Sequence, residues 1–574
     1  MHIFNKALIT RAGFGFGFKD LIAISILLGV LAVVAKGMNQ MAIPIGAIES
    51  SAISLSPTAL PGYALQTVLR FFCAMIFSVI FAILYGTLAA KNKYAESILI
   101  PALDIFQSIP VLGYISFTVT GFLLLFPGSS TGLQLASVFA AFTNQVPNMT
   151  FSFYQSLKTI PEDLRETCTI FGMSAGKKFC TLELPFAMPG LIWNCMMSMS
   201  GGWFLIVATE AITVNMHLVM LPGVGSYIAQ AINQHSIDAI GYAVLSMLIV
   251  IFLYDQLLFR PLIAWGDKFH SATNENTPIP KSLILSIVRE IRIFKLFTPI
   301  FSLLALGVYY LFLPLKYIGR ITSHIRLPNL SYLWYTAFAI LAVYALKLCY
   351  EFIDNHASWD ECLLITKLGF YTMLRVISMI FLASLIWVPI GVYVGLRPSL
   401  AEKIEPLAQF LAAFPANIIF PIAVIYITKY HLNPNIWLSP LMVLGTQWYI
   451  LFNVIAGASA FPVDLLYAAN MAGVRRLLWW RKVMLPGIFP YLVTGAITAA
   501  GGAWNASIVA EIVSWGNTHI VAEGIGAYIS QATASGNMPH LMISIGIMSL
   551  YVIFLNRLVW RPLYNLAERK AKLG

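Results

Sequence analysis

The sequence predicts an all-α protein that crosses a membrane many times, and three observations predict it. Charged residues make up only 10% of the 574 residues, whereas hydrophobic residues make up 59%; a soluble domain usually carries about 25% charged residues. Leu, Ile, Val, Phe and Ala recur in runs of about 20 residues, long enough for a helix to cross a hydrocarbon core of about 30 Å. The third observation is that the two halves of the sequence share a series of similar motifs in the same order.

The duplication is visible as matched motifs at a constant spacing. Motifs that recur 301 residues apart are LELP at 182–185 and VMLP at 483–486, WFLIVATE at 203–210 and WNASIVAE at 504–511, PGVGSYIAQA at 222–231 and EGIGAYISQA at 523–532, and FRPL at 259–262 and WRPL at 560–563. Upstream, TVLR at 67–70 recurs as TMLR at 372–375, which is 305 residues on. Chance does not keep one offset across so many matches, so the two halves are tandem repeats.

The apolar runs predict about 12 spans, six in each half. The first six cover about 20–36, 68–90, 98–126, 132–156, 189–209 and 240–259, and the second six cover about 332–350, 370–394, 405–428, 436–459, 490–510 and 541–559. Because each half has an even number of spans, both halves share one orientation. Lys6, Arg11 and Lys19 place the N-terminus in the cytoplasm. Residues 157–188 (loop 1) and 460–489 (loop 2) are then cytoplasmic as well.

The apolar segment 296–315 does not fit this count. If it spanned the membrane, there would be 13 spans and the second half would be inverted. Basic residues flank the segment on both sides, which favours a helix that lies at the cytoplasmic interface or returns on itself. The 13-span arrangement is the alternative.

The net charge of +11 indicates basic residues in cytoplasmic loops rather than a nucleic-acid surface. The six cysteines form no CxxC pair and the nine histidines form no HExxH motif, so the sequence predicts no metal site and no catalytic residues. The stretch GMSAGKK at 172–178 looks like a phosphate-binding loop. It has three residues between its glycines instead of four, Lys where Ser or Thr should hold magnesium, and no preceding strand. Nucleotide binding by this chain is therefore not expected.

Loops 1 and 2 share a different pattern. Each has a proline and an acid two residues later, Pro161 in loop 1 and Pro462 in loop 2, then a glycine and a Leu-Pro pair. The pattern predicts a short helix that starts at the proline and ends at the glycine, with Pro185 and Pro486 ending the helix that follows. Such a helix can dock into a groove of another protein. The alternative is an ordinary interhelical loop, although 30 matched residues argue for a function.

The loops resemble the EAA loop of binding-protein-dependent ABC importer permeases. That loop reads Glu-Ala-Ala, three residues, Gly, nine residues, an aliphatic residue, one residue and Leu-Pro. It falls on Glu166, Thr167, Cys168, Gly172, Leu182, Leu184 and Pro185 in loop 1, and on Tyr467, Ala468, Ala469, Gly473, Val483, Leu485 and Pro486 in loop 2. Loop 1 keeps the Glu and loses both alanines, whereas loop 2 keeps the alanines and loses the Glu. FQSIPVLG at 106–113 is similar to the nitrate/taurine/sulfonate branch of type I permeases.

The resemblance implies a tandem duplicated type I ABC transporter transmembrane domain in a bacterial inner membrane. The expected divisions are an N-terminal span and outer loop at 1–64, permease domain 1 at 65–265, a linker with an interfacial helix at 266–331, an accessory span and outer loop at 332–369, permease domain 2 at 370–565 and a cytoplasmic tail at 566–574. The implied partners are the lipid bilayer, separate ABC ATPase subunits that bind the ATP, and an extracytoplasmic solute-binding protein. No cofactor is expected in this chain itself. The implied solute is small and polar, and anionic by family likeness.

Polar residues in the spans give candidates for a gate or solute path. Glu210 and Glu511 recur at equivalent positions near the outer mouth, where they either gate or cap the following G-x-G helix. Asn194 and Asn505 either line the path or support helix packing. Arg70 and its repeat Arg375, near the outer ends of spans, are expected to extend towards the interface.

Two other functions remain open at this stage. An ion-coupled secondary transporter also contains repeats, but it often carries charged sites in the middle of the membrane. A membrane-embedded enzyme would need a clustered catalytic set. A separate soluble ATPase with Walker motifs would distinguish the importer from the first of these.

Overall fold

The computed structural model describes residues 53–214, 217–266, 340, 343–344, 347–516, 518–563 and 566. Three of the expectations above lie outside these residues: the first span with its cytoplasmic N-terminus, the segment 296–315, and nearly all of the C-terminal tail. Most of the span expected over 332–350 lies outside them too.

The first half of the described chain is a bundle of helices joined by short turns. In chain order they are α1 (Leu60–Lys91), α2 (Lys93–Ser108), α3 (Val111–Leu125), α4 (Thr131–Lys158), α5 (Glu162–Ile170), α6 (Ala175–Met197), α7 (Met199–Glu210), α8 (Val224–Asn233), α9 (Ile237–Tyr254) and α10 (Arg260–Gly266). Helix α1 carries Pro61 in its first turn, where the missing N–H would have no helical partner anyway. Ser236 begins α9, because its hydroxyl accepts a hydrogen bond from the Ala239 amide at 3.3 Å.

The second half repeats this order. Its helices are α11 (Trp359–Gly395), α12 (Pro398–Ala413), α13 (Phe420–Lys429), α14 (Pro434–Trp437), α15 (Ser439–Val443), α16 (Trp448–Ser459), α17 (Val463–Met471), α18 (Arg476–Ala510), α19 (Ile525–Ala534) and α20 (Met538–Leu555). The halves differ in where helices break. Helices α6 and α7 meet at a bend of 43°, whereas the equivalent α18 is unbroken; α4 is unbroken, whereas its equivalent bends by 48° between α15 and α16.

Within the described residues, five helices are long and apolar enough to cross a membrane, or up to eight if each bent pair is one span. The predicted spans over 98–126 and 405–428 are not single helices. Each is broken at a proline, Pro110 or Pro415, whose backbone is extended, and in the second half the bend is 70°. Proline cannot donate to the helix and disfavours helical geometry in the residue before it, which explains both breaks.

Two β-hairpins that the sequence analysis did not predict interrupt the helices. Strand β1 (Ala211–Val214) pairs antiparallel with β2 (His217–Met220), and β3 (Ile512–Trp515) pairs with β4 (Thr518–Val521). Each hairpin follows the helix that ends in the repeated WFLIVATE or WNASIVAE motif. Two-residue Gly-Asn loops are a known hairpin signal, and residues 516–517 carry one.

Prolines shape the helices in a second way, through π-helical turns. Four such turns lie at equivalent places in the two halves: Phe179–Glu183, Asp255–Phe259, Trp480–Met484 and Asn556–Trp560. Each ends two residues before a proline: Pro185, Pro261, Pro486 or Pro562. A proline lacks an N–H and its ring clashes with the carbonyl four residues earlier, and the wider π turn accommodates both defects. The prediction that Pro185 and Pro486 end a helix is therefore wrong, because α6 and α18 continue through them.

The two halves interlock. The buried residues of α3, such as Val111 and Ile115, belong to the core of the second half. A Cβ atom on Gly113 would lie 3.1 Å from Ile545 of α20, so this contact is close. Conversely, Ala413 and Ile418 of the second half lie in the core of the first half. Part of the broken span of each half thus packs in the core of the other half. The interface between the two halves, called the seam below, is formed by these contacts.

Candidate functional site

Loops 1 and 2 fold alike. Helix α5 starts directly after Pro161 and α17 directly after Pro462, as the sequence predicts. Both helices end in a turn that contains a left-handed glycine, Gly172 with φ +59° or Gly473 with φ +69°. In each turn an amide three residues past the last helical residue reaches back five residues, from Met173 to the Cys168 carbonyl in loop 1, at 3.0 Å. This is a Schellman ending, and its left-handed position explains the glycine.

The third position of the EAA-like triplet is buried in both loops, and the rest of each short helix is largely exposed. Cys168 and Ala469 are 7% and 8% exposed. A small side chain at this position lets the helix pack against the bundle. Glu166 and Ala468 are exposed. Within the Leu-Pro pairs, Leu184 and Pro185 are half-buried, whereas Leu485 and Pro486 are exposed.

Large apolar side chains project from the ends of both short helices. Ile170 is 83% exposed and Phe171 72%; in loop 2 Met471 is 90% exposed, and Leu477, at the start of α18, is 79% exposed. The two loops differ in charge, because loop 1 contains four acids and four basic residues whereas loop 2 contains one acid and four basic residues. Exposed apolar groups rimmed by charge are typical of a surface that binds another protein.

The GMSAGKK stretch forms the end of this turn and the start of α6. Gly172 supplies the left-handed turn, and Ser174 caps α6 by accepting a hydrogen bond from the Lys177 amide at 3.4 Å. The local structure is helix–turn–helix rather than the strand–loop–helix of a phosphate loop. Among the described residues, no group of three or more His, Cys, Asp or Glu side chains could hold a metal ion.

A buried ion pair joins α1 to the end of α7. The Arg70 guanidinium donates to Glu210 Oε1 at 2.5 Å, and both side chains are fully buried. Thr67 Oγ1 donates to the same carboxylate oxygen at 2.7 Å, and the Gly225 amide at the start of α8 donates to Oε2 at 2.6 Å. Arg70 also donates to the Pro222 carbonyl at 2.8 Å. The pair therefore holds α1, α7, the hairpin exit and α8 together.

The second half repeats this arrangement. Arg375 donates to Glu511 Oε1 at 2.9 Å, and Thr372 donates to the same oxygen at 2.7 Å. The Ala527 amide in α19 donates to Oε2 at 3.1 Å, and Arg375 also donates to Asn435 at 3.0 Å. Here the arginine remains 12% exposed, whereas Glu511 is fully buried.

These geometries revise the expectations for the charged residues in the spans. The expectation that Arg70 extends towards the interface is wrong, because it is fully buried against Glu210. Both glutamates contact the start of the G-x-G helix, as the capping interpretation requires, and neither lines the cavity between the two halves that is described next. The sequence did carry a signal for this pairing. An arginine and a glutamate recur together in both halves, as Arg70 with Glu210 and as Arg375 with Glu511, and a charged residue in a span needs a partner.

A cavity of about 70 Å³ lies at the seam between the halves. Its polar lining comes from amide and hydroxyl side chains: Gln107, Thr143, Asn144, Asn148, Thr446, Tyr449, Thr498 and Asn505. Asn505 also bonds across the seam, because its Oδ1 accepts a hydrogen bond from the Val111 amide at 2.5 Å. Asn194 does not line this cavity; its amide donates to the Gly190 carbonyl of its own helix at 3.0 Å. Sequence reasoning found Asn505 but missed Asn144 and Asn148.

The comparisons with known proteins agree with this architecture. The family described as "Binding-protein-dependent transport system inner membrane component" matches the chain twice, over residues 78–259 and 387–561. The chain is 30% identical over 213 residues to the "Bicarbonate transport system permease protein CmpB" of Synechococcus elongatus, a match that covers 37% of this chain and 72% of that protein. It is 27% identical over 179 residues to the "Nitrate import permease protein NrtB" of Leptolyngbya laminosa, with 31% and 60% covered. It is also 26% identical over 183 residues to the "Putative ABC transporter permease protein MJ0413" of Methanocaldococcus jannaschii, with 32% and 65% covered.

Proposed function

The chain belongs to the binding-protein-dependent transport system inner membrane components and carries two such permease domains in tandem, and we propose that it is the complete membrane-spanning part of an ATP-driven importer. It is a transport protein rather than an enzyme. In this proposal a separate ABC ATPase pair binds the ATP, and a soluble binding protein delivers a small polar solute from outside. The N-terminus and both loops then face the cytoplasm.

The paired short helices of loops 1 and 2 carry the proposal. Each offers exposed apolar side chains on a helix whose ends are fixed by a proline and a left-handed glycine. Helix α5 leads through its turn into α6, and α17 leads into α18, so a displacement of either short helix is transmitted to a membrane helix. A helix of this kind fits a groove on an ATPase subunit.

The two docking surfaces are unequal in this proposal. Glu166 of loop 1 stands where loop 2 has Tyr467, and loop 2 has an excess of basic residues whereas the charges of loop 1 balance. An ATPase pair made of two different subunits would suit such a chain, whereas two identical subunits would meet two different surfaces.

The experiment that tests docking replaces one exposed apolar pair at a time. The chain is coexpressed with a candidate ABC ATPase that carries Walker motifs and comes from the same organism, and the complex is purified through a tag on the permease. Changing Ile170 and Phe171 to Ser should reduce the recovered ATPase at least fivefold. The matched control changes Leu124 and Leu125 to Ser; these are 78% and 70% exposed at the far end of α3. Equal ATPase recovery with both variants, or uptake driven by an ion gradient alone, would refute the proposal.

A further inference from the structure

The short junction between α1 and α2 contacts both ends of loop 1. Lys91 is the last residue of α1, and Glu96 lies in the first turn of α2. Lys91 Nζ lies 2.6 Å from Oε2 of Glu183, near the end of loop 1. Glu96 Oε2 lies 2.7 Å from Nζ of Lys158, at the start of loop 1. These four residues, called the junction clamp below, hold the two ends of loop 1 against one place on the bundle.

The junction clamp is partly buried and has further support. Glu183 Oε2 is buried, and the side chain as a whole is 12% exposed. Lys91 Nζ also lies 5.2 Å from the centre of the Phe179 ring, which belongs to the core of the first half. The Tyr154 hydroxyl donates a hydrogen bond to the other carboxylate oxygen of Glu96. Ion pairs at an open surface contribute little to stability, but these two are reinforced by a ring, a hydroxyl and a buried oxygen.

A third charged contact holds the short helix of loop 1. Arg165 of α5 donates from Nη2 to the Leu157 carbonyl at the end of α4, at 2.5 Å. Lys158 of the junction clamp belongs to the same end of α4. The clamp and this hydrogen bond therefore fix α5 relative to α1, α2 and α4.

The charged residues that hold loop 1 do not recur in the second half. At the repeat spacings of 305 and 301 residues, the positions equivalent to Lys91, Glu96, Lys158, Arg165 and Glu183 are Leu396, Ala401, Ser459, Leu466 and Met484. Among the described residues, no ion pair joins loop 2 to the rest of the bundle. At the place of the clamp, the Ser459 hydroxyl donates to the Gly395 carbonyl at 3.0 Å. A neutral hydrogen bond thus stands where the first half has two ion pairs.

The backbone of loop 2 is also less firmly set. Arg475 precedes α18 without a side-chain cap, whereas Ser174 caps α6 in loop 1. The next residue, Arg476, has φ +50°, a region that L side chains rarely adopt. Loop 2 therefore combines an uncapped, strained turn with the lack of a clamp, and the two loops differ in how firmly they are attached.

On the premise of the proposed importer, we propose that the junction clamp fixes loop 1 rigidly to the bundle while loop 2 stays compliant, and that Lys91 and Glu96 are positioning residues for the transmission of ATP-driven movement. A displacement of α5 by an ATPase subunit then reaches α1 and α2 through the two ion pairs, as well as α6 through the chain. A displacement of α17 reaches α18 through the chain and through packing contacts, without charged contacts to the bundle.

The first test is amide hydrogen exchange of the purified chain, which needs no partner protein. In wild type, protection factors over residues 162–183 should be at least fivefold higher than over 463–484. Lys91→Gln/Glu96→Gln should lower protection over 162–183 at least fivefold and leave 463–484 unchanged. Arg397→Gln is the matched control and should leave both loops unchanged. Arg397 lies in the equivalent junction of the second half, where it donates to the Tyr393 carbonyl of its own helix at 2.9 Å.

Charge exchange distinguishes an ion pair from a contact that only fills space. Lys91→Glu/Glu183→Lys restores opposite charges and should recover at least half of the protection that Lys91→Glu alone loses. Lys91→Arg keeps the positive charge and should match wild type. In the copurified complex, Lys91→Gln/Glu96→Gln should retain ATPase recovery within twofold, because the exposed side chains of α5 are unchanged. The same variant should lower the stimulation of ATP hydrolysis by the permease at least threefold.

Several results would overturn this inference while leaving ATPase docking intact. They are equal protection of the two loops in wild type, unchanged protection over 162–183 in the double variant, loss of protection throughout the chain instead of in loop 1, no recovery on charge exchange, and unchanged stimulation of ATP hydrolysis. Failure of the ATPase to copurify with wild type would refute the proposed function instead, and hydrogen exchange of the chain alone would still decide whether the clamp holds loop 1.

Discussion

The Arg70 guanidinium and the Glu210 carboxylate form an ion pair that is completely removed from solvent, between residues 140 positions apart in the chain. Its repeat, Arg375 with Glu511, has the same geometry but leaves the arginine partly exposed. A charge left without its partner in a buried site is costly, so the two pairs should differ in their sensitivity to mutation.

We expect Glu210→Gln to lower the free energy of unfolding by about 3–5 kcal/mol, because Arg70 would keep its charge without a counterion. Glu511→Gln should have a smaller effect, since Arg375 keeps contact with solvent whereas Arg70 is fully buried. Thermal unfolding of the purified chain in detergent measures both. In the double variant Arg70→Met/Glu210→Gln part of the loss should be recovered; a double variant no more stable than Glu210→Gln would contradict the charge argument.

The left-handed glycines of loops 1 and 2 provide a second prediction. Gly172→Ala and Gly473→Ala should each destabilise the local turn by about 1–2 kcal/mol, because a side chain at positive φ is strained. Neither position has an atom within 4 Å of an added Cβ, so strain alone is introduced. ATPase stimulation by the permease should fall, since the short helix loses its fixed end.

Gly128 supplies the matched control for that experiment. Its φ is +75° and an added Cβ would also meet nothing within 4 Å, but it lies between α3 and α4, away from both loops. Gly128→Ala should impose a similar strain with no change in ATPase stimulation. If all three variants reduced stimulation equally, the loops would have no special role in coupling.

The hairpin of the second half depends on contact with the first half. The His235 ring packs edge-on against Trp515 with centroids 5.6 Å apart, and a Cβ atom on Gly516 would lie 1.7 Å from His235 Cε1. Gly516→Ala must therefore displace His235 and should increase amide hydrogen exchange throughout β3 and β4. In a His235→Ala background the same change should cost only the backbone strain, about 1–2 kcal/mol. Additive effects of the two substitutions would show that the contact is not made.

The proline-associated π turns give a fourth prediction. Pro185→Ala restores a backbone donor and removes the ring clash, so the turn Phe179–Glu183 can tighten into α-helix. Taking up one residue in this way would rotate the part of loop 1 that precedes Phe179 by about 100° relative to the part of α6 that follows Glu183. Spin labels at Ile170 and Leu124 should then report a changed distance, together with reduced ATPase stimulation. Pro261→Ala, at the equivalent kind of turn outside the loops, should leave that distance unchanged.

Sequence reasoning predicted the features that have a long periodic pattern or a local signal for the start of a helix. The apolar runs, the tandem repeat and the helices that start at Pro161 and Pro462 are all of this kind. Local signals were also misread: Pro185 was interpreted as the end of a helix, because a π turn that absorbs a proline has no separate signature. The breaks at Pro110 and Pro415 were missed because apolar residues continue on both sides of them.

The features that sequence reasoning missed depend on contacts between distant segments. Arg70, the partner of Glu210, lies 140 residues upstream. Comparison of the two repeats identified both residues but did not indicate that they are in contact. Asn144 and Asn148 look like ordinary polar residues in an apolar helix, and only the seam between the halves shows that they share a cavity with Asn505. The hairpins are four-residue strands, which are too short to give a strong alternation.

The exchange of broken spans across the seam has an evolutionary consequence. A protein made of a single half would have to pack against α3, or its equivalent, of a second identical molecule. The two sides of the cavity between them would then be identical. Because the halves are joined in one chain, the first half pairs with the second half rather than with another copy of the first half. Substitutions in one half are thereby released from having to work in both, and the cavity accordingly carries Asn148 from one half and Tyr449 at the equivalent position of the other.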